Sequence, residues 1–169
     1  MTISKSKEST DVLLARGQDN AEWLEVTPGE RFTIRTSIAQ TQGAYTMLEV
    51  VAEPRNGVPM HIHKNEDEHF IVLDGTLHIA NGNERSDLPA GTAVTVKKGV
   101  PHAWCNRSDT LLRMLVVFSP GHIEGLFRAN PIRRGDDLAA LIEQFGVVMV
   151  GPALFEDIYT IHSPRPAAA

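Results

Sequence analysis

The sequence is poor in cysteine and contains no long hydrophobic run. Its 169 residues include one cysteine, Cys105, so an intrachain disulfide is excluded and a reducing compartment is indicated. No apolar stretch approaches the ~20 residues of a transmembrane helix, and the N-terminal residues lack the apolar centre of a signal peptide. We therefore predict a cytoplasmic protein that has no membrane partner.

Basic residues are also few. Lysine and arginine number 16 against 21 aspartates and glutamates, the formal net charge is -5, and no basic stripe is present, so nucleic acid is not an expected partner. The hydrophobic fraction of 42% and the charged fraction of 22% are those of an ordinary globular chain. The length suits one domain with its own core, and no internal repeat divides it.

A β-strand pattern extends from residue 23 to residue 120. Short apolar segments alternate with turn signals about every ten residues, which is typical of a barrel or sandwich. Asp74-Gly75 predicts a tight turn between two of these segments. We therefore predict an all-β fold, a single β-barrel, with strands near residues 32–38, 45–51, 68–73, 76–80, 92–96, 102–105 and 111–118.

The segments on either side of this barrel have a different character. Residues 1–22 are polar apart from Val12-Leu13-Leu14-Ala15, and we predict a partly flexible arm, with packing on a partner subunit as the alternative. Residues 121–162 are expected to pack on the barrel as a helical and extended segment. This segment contains one short helix within 121–128 and another over 136–145. The tail, 163–169, is expected to be disordered.

Three histidines and one glutamate form the candidate metal site. His61-Ile62-His63 on an extended segment sends both imidazoles to one face, because side chains alternate along a strand. Glu68 follows after a short charged loop, from which the next strand can return a carboxylate to the same point. His102 comes from a separate strand. Imidazole and carboxylate suit a divalent transition metal, so these four residues are candidate ligands of one such ion.

The two motifs that contain these residues resemble those of the cupin superfamily. The first motif has a glycine, His-x-His, three or four residues, Glu, six residues and Gly, which is matched here by Gly57, His61, His63, Glu68 and Gly75. The second motif is matched by Gly91, Gly99, His102 and Asn106. The chain departs from the family pattern where Gly57 lies closer to His61 than usual and where Lys97 replaces a proline. Both departures concern turn geometry and leave the ligand positions filled. The resemblance therefore implies one divalent transition metal ion on His61, His63, Glu68 and His102.

The sequence around the motifs is similar to that of small single-domain cupins described as quercetin-dioxygenase-like. Pro59-Met60-His61-Ile62-His63 and Asp67-Glu68-His69-Phe70 carry this likeness, as does Phe118-Ser119-Pro120-Gly121. The resemblance implies a jelly-roll barrel with one or two short C-terminal helices. It also implies a homodimer.

The predicted metal centre is compatible with three functions. Three imidazoles and one carboxylate leave positions open on an octahedral ion, and iron, manganese, nickel, cobalt, copper and zinc all accept these ligands. The first hypothesis is a dioxygenase that acts on a hydrophobic or aromatic small molecule able to form an enol or enolate. The quercetinase resemblance implies that Glu68 is then also the catalytic base. A non-redox lyase or isomerase is the second hypothesis, and a non-catalytic binding or sensing protein is the third.

Strand parity predicts the walls of a substrate pocket. Phe70 shares the parity of Glu68, and Trp104 shares that of His102. For every wall residue the alternative is ordinary core packing. We predict that the pocket is lined by Tyr45, Met47, Phe70, Trp104, Met114 and Phe118. His69 has the wrong parity for the metal, and Glu66-Asp67 is interpreted as a solvated turn.

Overall fold

The computed structural model describes residues 22–81, 84–129 and 136–151. The predicted tail and nearly all of the predicted N-terminal arm lie outside these ranges. Within them the chain forms eleven strands and two helices. The strands are β1 Leu24–Thr27, β2 Glu30–Thr36, β3 Thr46–Ala52, β4 Gly57–His63, β5 Asp67–Asp74, β6 Thr76–Asn81, β7 Glu84–Pro89, β8 Ala93–Val96, β9 His102–Cys105, β10 Leu112–Ser119 and β11 Val147–Met149. The helices are α1 Glu124–Arg128 and α2 Asp136–Gln144.

The strands form two antiparallel sheets. The first sheet has six strands in the order β1-β2-β3-β10-β5-β8, and the second has five in the order β11-β4-β9-β6-β7. Apart from β1-β2-β3 and β6-β7, neighbouring strands are not consecutive in sequence, because the chain crosses repeatedly between the sheets. This architecture confirms the predicted all-β fold with two short helices.

The core lies on one face of the six-stranded sheet. On β10, Met114 is opposite Val50 of β3 and Val72 of β5. Residues of this parity are buried throughout the centre of the sheet, because successive side chains point to opposite faces. The largest fully buried apolar side chains are Phe32, Leu48, Phe70, Val72, Leu77, Val96, Leu112, Met114 and Ile123.

The second sheet places β4 beside β9. His61 of β4 is the direct pairing partner of His102 of β9, and β11 pairs with the other edge of β4. Two segments that are 41 positions apart in sequence are thus brought together by backbone hydrogen bonds. This pairing is what assembles the candidate site.

The Asp74-Gly75 turn lies where predicted but joins strands of different sheets. Gly75 has a φ of +78°, and a Cβ there would lie 2.5 Å from the Leu111 carbonyl oxygen. Glycine is required because an L side chain meets both a strained backbone and this carbonyl. The turn is therefore a corner between the sheets and not a hairpin.

Three short strands have no counterpart among the predicted ones. β1 and β11 have four and three residues, too few for a clear alternation. β7 is polar and almost wholly exposed at the edge of its sheet, so it lacks the apolar pattern from which strands are inferred. Among the described residues no helix is long and apolar enough to span a membrane.

Candidate metal centre

Four side chains from three strands converge at one buried point. His61 and His63 come from β4, Glu68 from β5 and His102 from β9. Their ligand atoms all lie within 4.8 Å of one another. Each residue is at most 5% exposed. The structure therefore brings together all four residues that the sequence proposed as metal ligands, in a cluster able to hold a metal ion.

The distances show that the reactive atoms of the four groups face each other. His61 Nε2 is 3.1 Å from His63 Nε2. Glu68 Oε2 is 3.1 Å from His63 Nε2 and 2.8 Å from His102 Nε2. His63 and His102 thus present Nε2 to the same carboxylate oxygen, and His61 presents Nε2 to His63.

Two of the histidines are held in the tautomer that a metal requires. His61 Nδ1 donates to the Pro59 carbonyl oxygen over 2.7 Å, and His102 Nδ1 donates to the Val100 carbonyl oxygen over 3.1 Å. In the neutral rings these bonds leave a lone pair on Nε2. Lone pairs and a carboxylate oxygen at such short range repel unless a cation lies between them. The donor set therefore fits a divalent metal ion.

Burial and mutual charge set the protonation of the cluster. Burial, with the neighbouring His102, lowers the pKa of His61 to about 4, so this ring is neutral at pH 7. Burial opposes ionisation of Glu68, but the nearby His63 and the hydrogen bond with His102 hold its pKa below the usual range. Burial also opposes the charged form of His102, yet the same bond with Glu68 raises the His102 pKa.

Four of the predicted pocket residues lie on the core side of the sheets. The Phe118 ring is 5.4 Å from the His63 ring, and Phe118 is paired with Glu68 across β10 and β5. Phe70, Met114 and Trp104 are buried in the same core cluster. Phe118 is the one with a described contact to the histidines. Its ring supplies an apolar wall beside them.

Tyr45 and Met47 are not brought to this group. On β3 the buried core side chains are Thr46, Leu48 and Val50, so Met47 faces the opposite side of the sheet, and Tyr45, just before β3, is outside the core cluster too. Both alternating sets of residues on this strand are largely apolar, so the sequence pattern does not show which set faces the core, and the set with Met47 was wrongly chosen. Their assignment to the substrate pocket needs correction.

Glu49, on the outer side of the six-stranded sheet, is a buried ion-pairing residue. Its Oε2 accepts from Arg35 Nε and its Oε1 from Arg113 Nε, each over 2.6 Å. Although burial opposes ionisation, the two guanidinium groups lower the Glu49 pKa. A cavity of about 310 Å³ lies on this side, lined by Trp23, Arg31, Glu49, Val51, Asp74, Leu111 and Arg113. It is built from the face opposite to the metal cluster.

The interpretation of Glu66-Asp67 as a solvated turn is wrong for Glu66. Glu66 is 1% exposed, and burial raises its pKa. Its Oε2 and the Nδ1 of His63 are buried side-chain atoms for which the described structure provides no hydrogen-bond partner. Asp67 accepts from Lys97 Nζ over 2.6 Å and from the Lys98 amide over 2.9 Å. Sequence reasoning missed Glu66 because a charged residue between strands is usually solvated.

A two-sheet jelly-roll fold with three imidazoles and one carboxylate at its centre defines a metal-binding barrel protein. Residues 48–118 match the family described as Cupin domain. These residues therefore form a cupin domain, as the motifs predicted.

Among curated proteins, the chain is similar to quercetin 2,3-dioxygenase of Bacillus subtilis (strain 168). The identity is 28% over 133 residues, which cover 75% of this chain and 36% of the relative. The chain thus spans about a third of the length of this relative. The similarity includes the cupin motifs and supplies a reaction type to test.

Solved structures show the same fold at low sequence identity. KdgF from Halomonas sp. superposes with a TM-score of 0.58 at 17% identity, covering 75% of this chain and 98% of that one. An RmlC-like cupin from Shewanella frigidimarina gives 0.57 at 15% identity, with 66% and 94% covered. At such identities the likeness concerns the fold alone.

Proposed function

We propose that the protein is a metal-dependent dioxygenase of quercetinase type. Its substrate is a hydrophobic or aromatic small molecule that forms an enol or enolate. The observation that carries the proposal is the buried cluster of three imidazoles and Glu68, whose ligand atoms lie within 4.8 Å of one another. The similarity to quercetin 2,3-dioxygenase supports the choice of reaction.

His61, His63, His102 and Glu68 would hold the ion. When bound, a divalent metal supplies a positive centre that stabilises a substrate enolate and a site where substrate and dioxygen meet. Its identity is open among iron, manganese, nickel, cobalt, copper and zinc, since all accept nitrogen and oxygen ligands.

Each protein group has a distinct role in this proposal. The Pro59 and Val100 carbonyls fix the rings of His61 and His102, which keeps their Nε2 atoms directed at the centre. Glu68 is the catalytic base: its carboxylate oxygen is held ionised and accepts the proton of the substrate hydroxyl. Phe118 lies beside His63 and excludes water from that side.

Dioxygen uptake tests the proposal directly. Protein reconstituted with each metal in turn is mixed with a panel of flavonols and β-diketones in an oxygen electrode, and product is identified by mass. We expect uptake with at least one metal and a loss of it in His61→Ala.

His69→Ala is the matched control. His69 is a β5 histidine of the opposite parity, and its Nδ1 bonds Thr95 Oγ1 at the surface, so uptake is expected to persist in this variant. Metal-dependent turnover without dioxygen would instead support the lyase or isomerase. A protein that binds these molecules without metal and without turnover would support the sensing alternative.

A further inference from the structure

Two unpartnered buried atoms lie next to the metal cluster. One is His63 Nδ1 and the other is Glu66 Oε2, and neither has a hydrogen-bond partner among the described residues. Buried polar atoms in native proteins are nearly always paired, so each unpaired one calls for an explanation. Here a ring nitrogen that can donate and a carboxyl oxygen that can accept occur three residues apart.

His63 differs from the other two histidines of the cluster in this respect. His61 and His102 each donate Nδ1–H to a backbone carbonyl oxygen. His63 faces Glu68 and His61 with Nε2, at 3.1 Å in both cases, so a ligand role leaves its hydrogen on Nδ1. That hydrogen then requires an acceptor, because metal-bound histidines almost always donate their second ring nitrogen.

The turn that carries Glu66 is fixed on both sides. Before Glu66, the Lys64 amide donates to the Gly146 carbonyl over 3.0 Å, and Asn65 Nδ2 donates to the Phe145 carbonyl over 3.4 Å. After it, Asp67 bonds the Lys98 amide. The backbone on both sides of Glu66 is therefore fixed, and the Glu66 side chain is buried within this turn.

We propose that Glu66 is the positioning residue of His63: its free carboxyl oxygen accepts the His63 Nδ1 hydrogen and thereby directs Nε2 at the bound metal. The inference rests on the metal site of the proposed function but not on the reaction. It gives all three histidines an Nδ1 acceptor, two from the backbone and one from a side chain. Glu66 itself is not a ligand in this arrangement.

Zinc affinity of two Glu66 variants tests the proposal. Glu66→Gln keeps a side-chain carbonyl oxygen at the same reach, whereas Glu66→Leu has similar bulk and no acceptor. In a chelator competition we expect zinc binding to weaken about 10–100-fold in Glu66→Leu, as for other outer partners of metal ligands. Glu66→Gln is expected to remain within about threefold of the wild type, since it can still accept the bond.

Two further measurements distinguish positioning from a general structural role. In the zinc-loaded wild type, nitrogen-15 NMR should show the His63 Nδ1 hydrogen in slow exchange, and Glu66→Leu should lose that signal. Urea unfolding of the metal-free proteins should show Glu66→Leu to be no less stable than wild type, because an unpaired buried carboxyl has been removed.

Equal zinc affinity of Glu66→Leu and wild type would overturn the proposal, as would equal weakening of both variants. A wild-type protein that binds zinc but consumes no dioxygen with any metal would overturn the proposed reaction and leave this inference standing. A wild-type protein that binds no metal would overturn both.

Discussion

At the scale of single residues, the candidate metal centre is a group of hydrogen-bond acceptors, imidazole nitrogens and a carboxylate oxygen, that face each other. His102 Nε2 is 2.8 Å from Glu68 Oε2, while the hydrogen of the neutral ring lies on Nδ1. Without a cation the cluster must take up a proton, and with a divalent metal it need not. Metal binding is therefore coupled to the protonation and stability of the folded chain.

Metal addition should raise the stability of the protein. A ligand that binds only the folded state at 100 times its dissociation constant contributes about 2.7 kcal/mol. We expect the melting temperature to rise with zinc or nickel and to fall back on adding a chelator, as measured by circular dichroism. His102→Ala should abolish the rise, and His69→Ala should keep it. A rise of equal size in His102→Ala would contradict the assigned ligand set.

The metal-free protein should lose stability as the pH falls from about 6.5 to about 4. The folded state holds the pKa of His61 near 4, against 6.5 for an unperturbed histidine, so the unfolded state binds more protons in this window and stability rises with pH. The raised pKa of His102 has its effect above this window, and the lowered pKa of Glu68 has its effect below about 4.5.

Comparison with His61→Gln isolates this contribution. The raised pKa of Glu66 acts in the opposite direction and is common to both proteins. The His61 contribution is on the order of 3 kcal/mol over the whole window. Urea unfolding at several pH values should give a shallower pH dependence in His61→Gln, and equal slopes in the two proteins would contradict the assignment.

At the scale of secondary-structure elements, α1 is attached to the six-stranded sheet by one buried carboxylate. Glu124 is 3% exposed. Its Oε2 accepts from the Ile38 amide over 2.6 Å and from Thr46 Oγ1 over 2.7 Å. A five-residue helix has little stability of its own, so these tertiary bonds keep it in place. Its Phe127 ring packs at 5.6 Å against Phe118, the wall residue of the site.

Removal of the Glu124 carboxylate should destabilise the fold. Glu124→Ala leaves the partly buried Ile38 amide without its acceptor, at a cost of about 1–3 kcal/mol. The Thr46 hydroxyl loses its bond to Glu124 but can still donate to the Thr36 carbonyl oxygen. Chemical denaturation of the metal-free protein measures the loss. Arg128→Ala is the control, since the Arg128 side chain is 56% exposed and pairs with Glu124 at the surface, where such a pair contributes at most about 1 kcal/mol. Similar losses in both variants would show that the buried bonds are unimportant.

At the scale of the whole molecule, the six-stranded sheet has apolar side chains on both faces. Its inner face is the core, and its outer face carries Met47, Val51, Ile71, Leu73, Leu115 and Val117. An antiparallel sheet with one solvated face normally alternates apolar and polar residues. Six strands about 4.8 Å apart and up to eight residues long span roughly 600 Å², close to the ~800 Å² that each partner buries in a standard interface.

The predicted homodimer should use this outer face. Ile71 and Leu73 are 37% and 39% exposed there. Sedimentation equilibrium is expected to give the mass of two chains for the wild type and of one chain for Ile71→Glu. Val150→Glu is the control, because Val150 is 44% exposed beyond β11 of the other sheet. A monomeric wild type, or a dimer unaffected by Ile71→Glu, would rule out this arrangement.

The sequence predicted the fold class from local strand and turn signals, and it predicted the four convergent residues from strand alternation together with the two cupin motifs. His61 and His63 share a face by strand alternation, and β9 was predicted with the same bounds that it has in the structure. Parity failed on β3 because Met47 and Leu48 are equally apolar. The burial of Glu66 was not predicted, since burial of a loop carboxylate depends on tertiary packing. Strand β7 was not predicted because this polar edge strand has no apolar pattern.

The fluorescence of Trp104 can report metal binding at the candidate site. The chain has two tryptophans. Trp104 is 5% exposed and lies two residues beyond His102 on the same strand, which corresponds to about 6.6 Å of backbone. Trp23 lines the cavity on the far side of the other sheet. Intrinsic fluorescence should therefore be quenched by copper or nickel and unaffected in intensity by a closed-shell ion, with Trp23 as the internal reference.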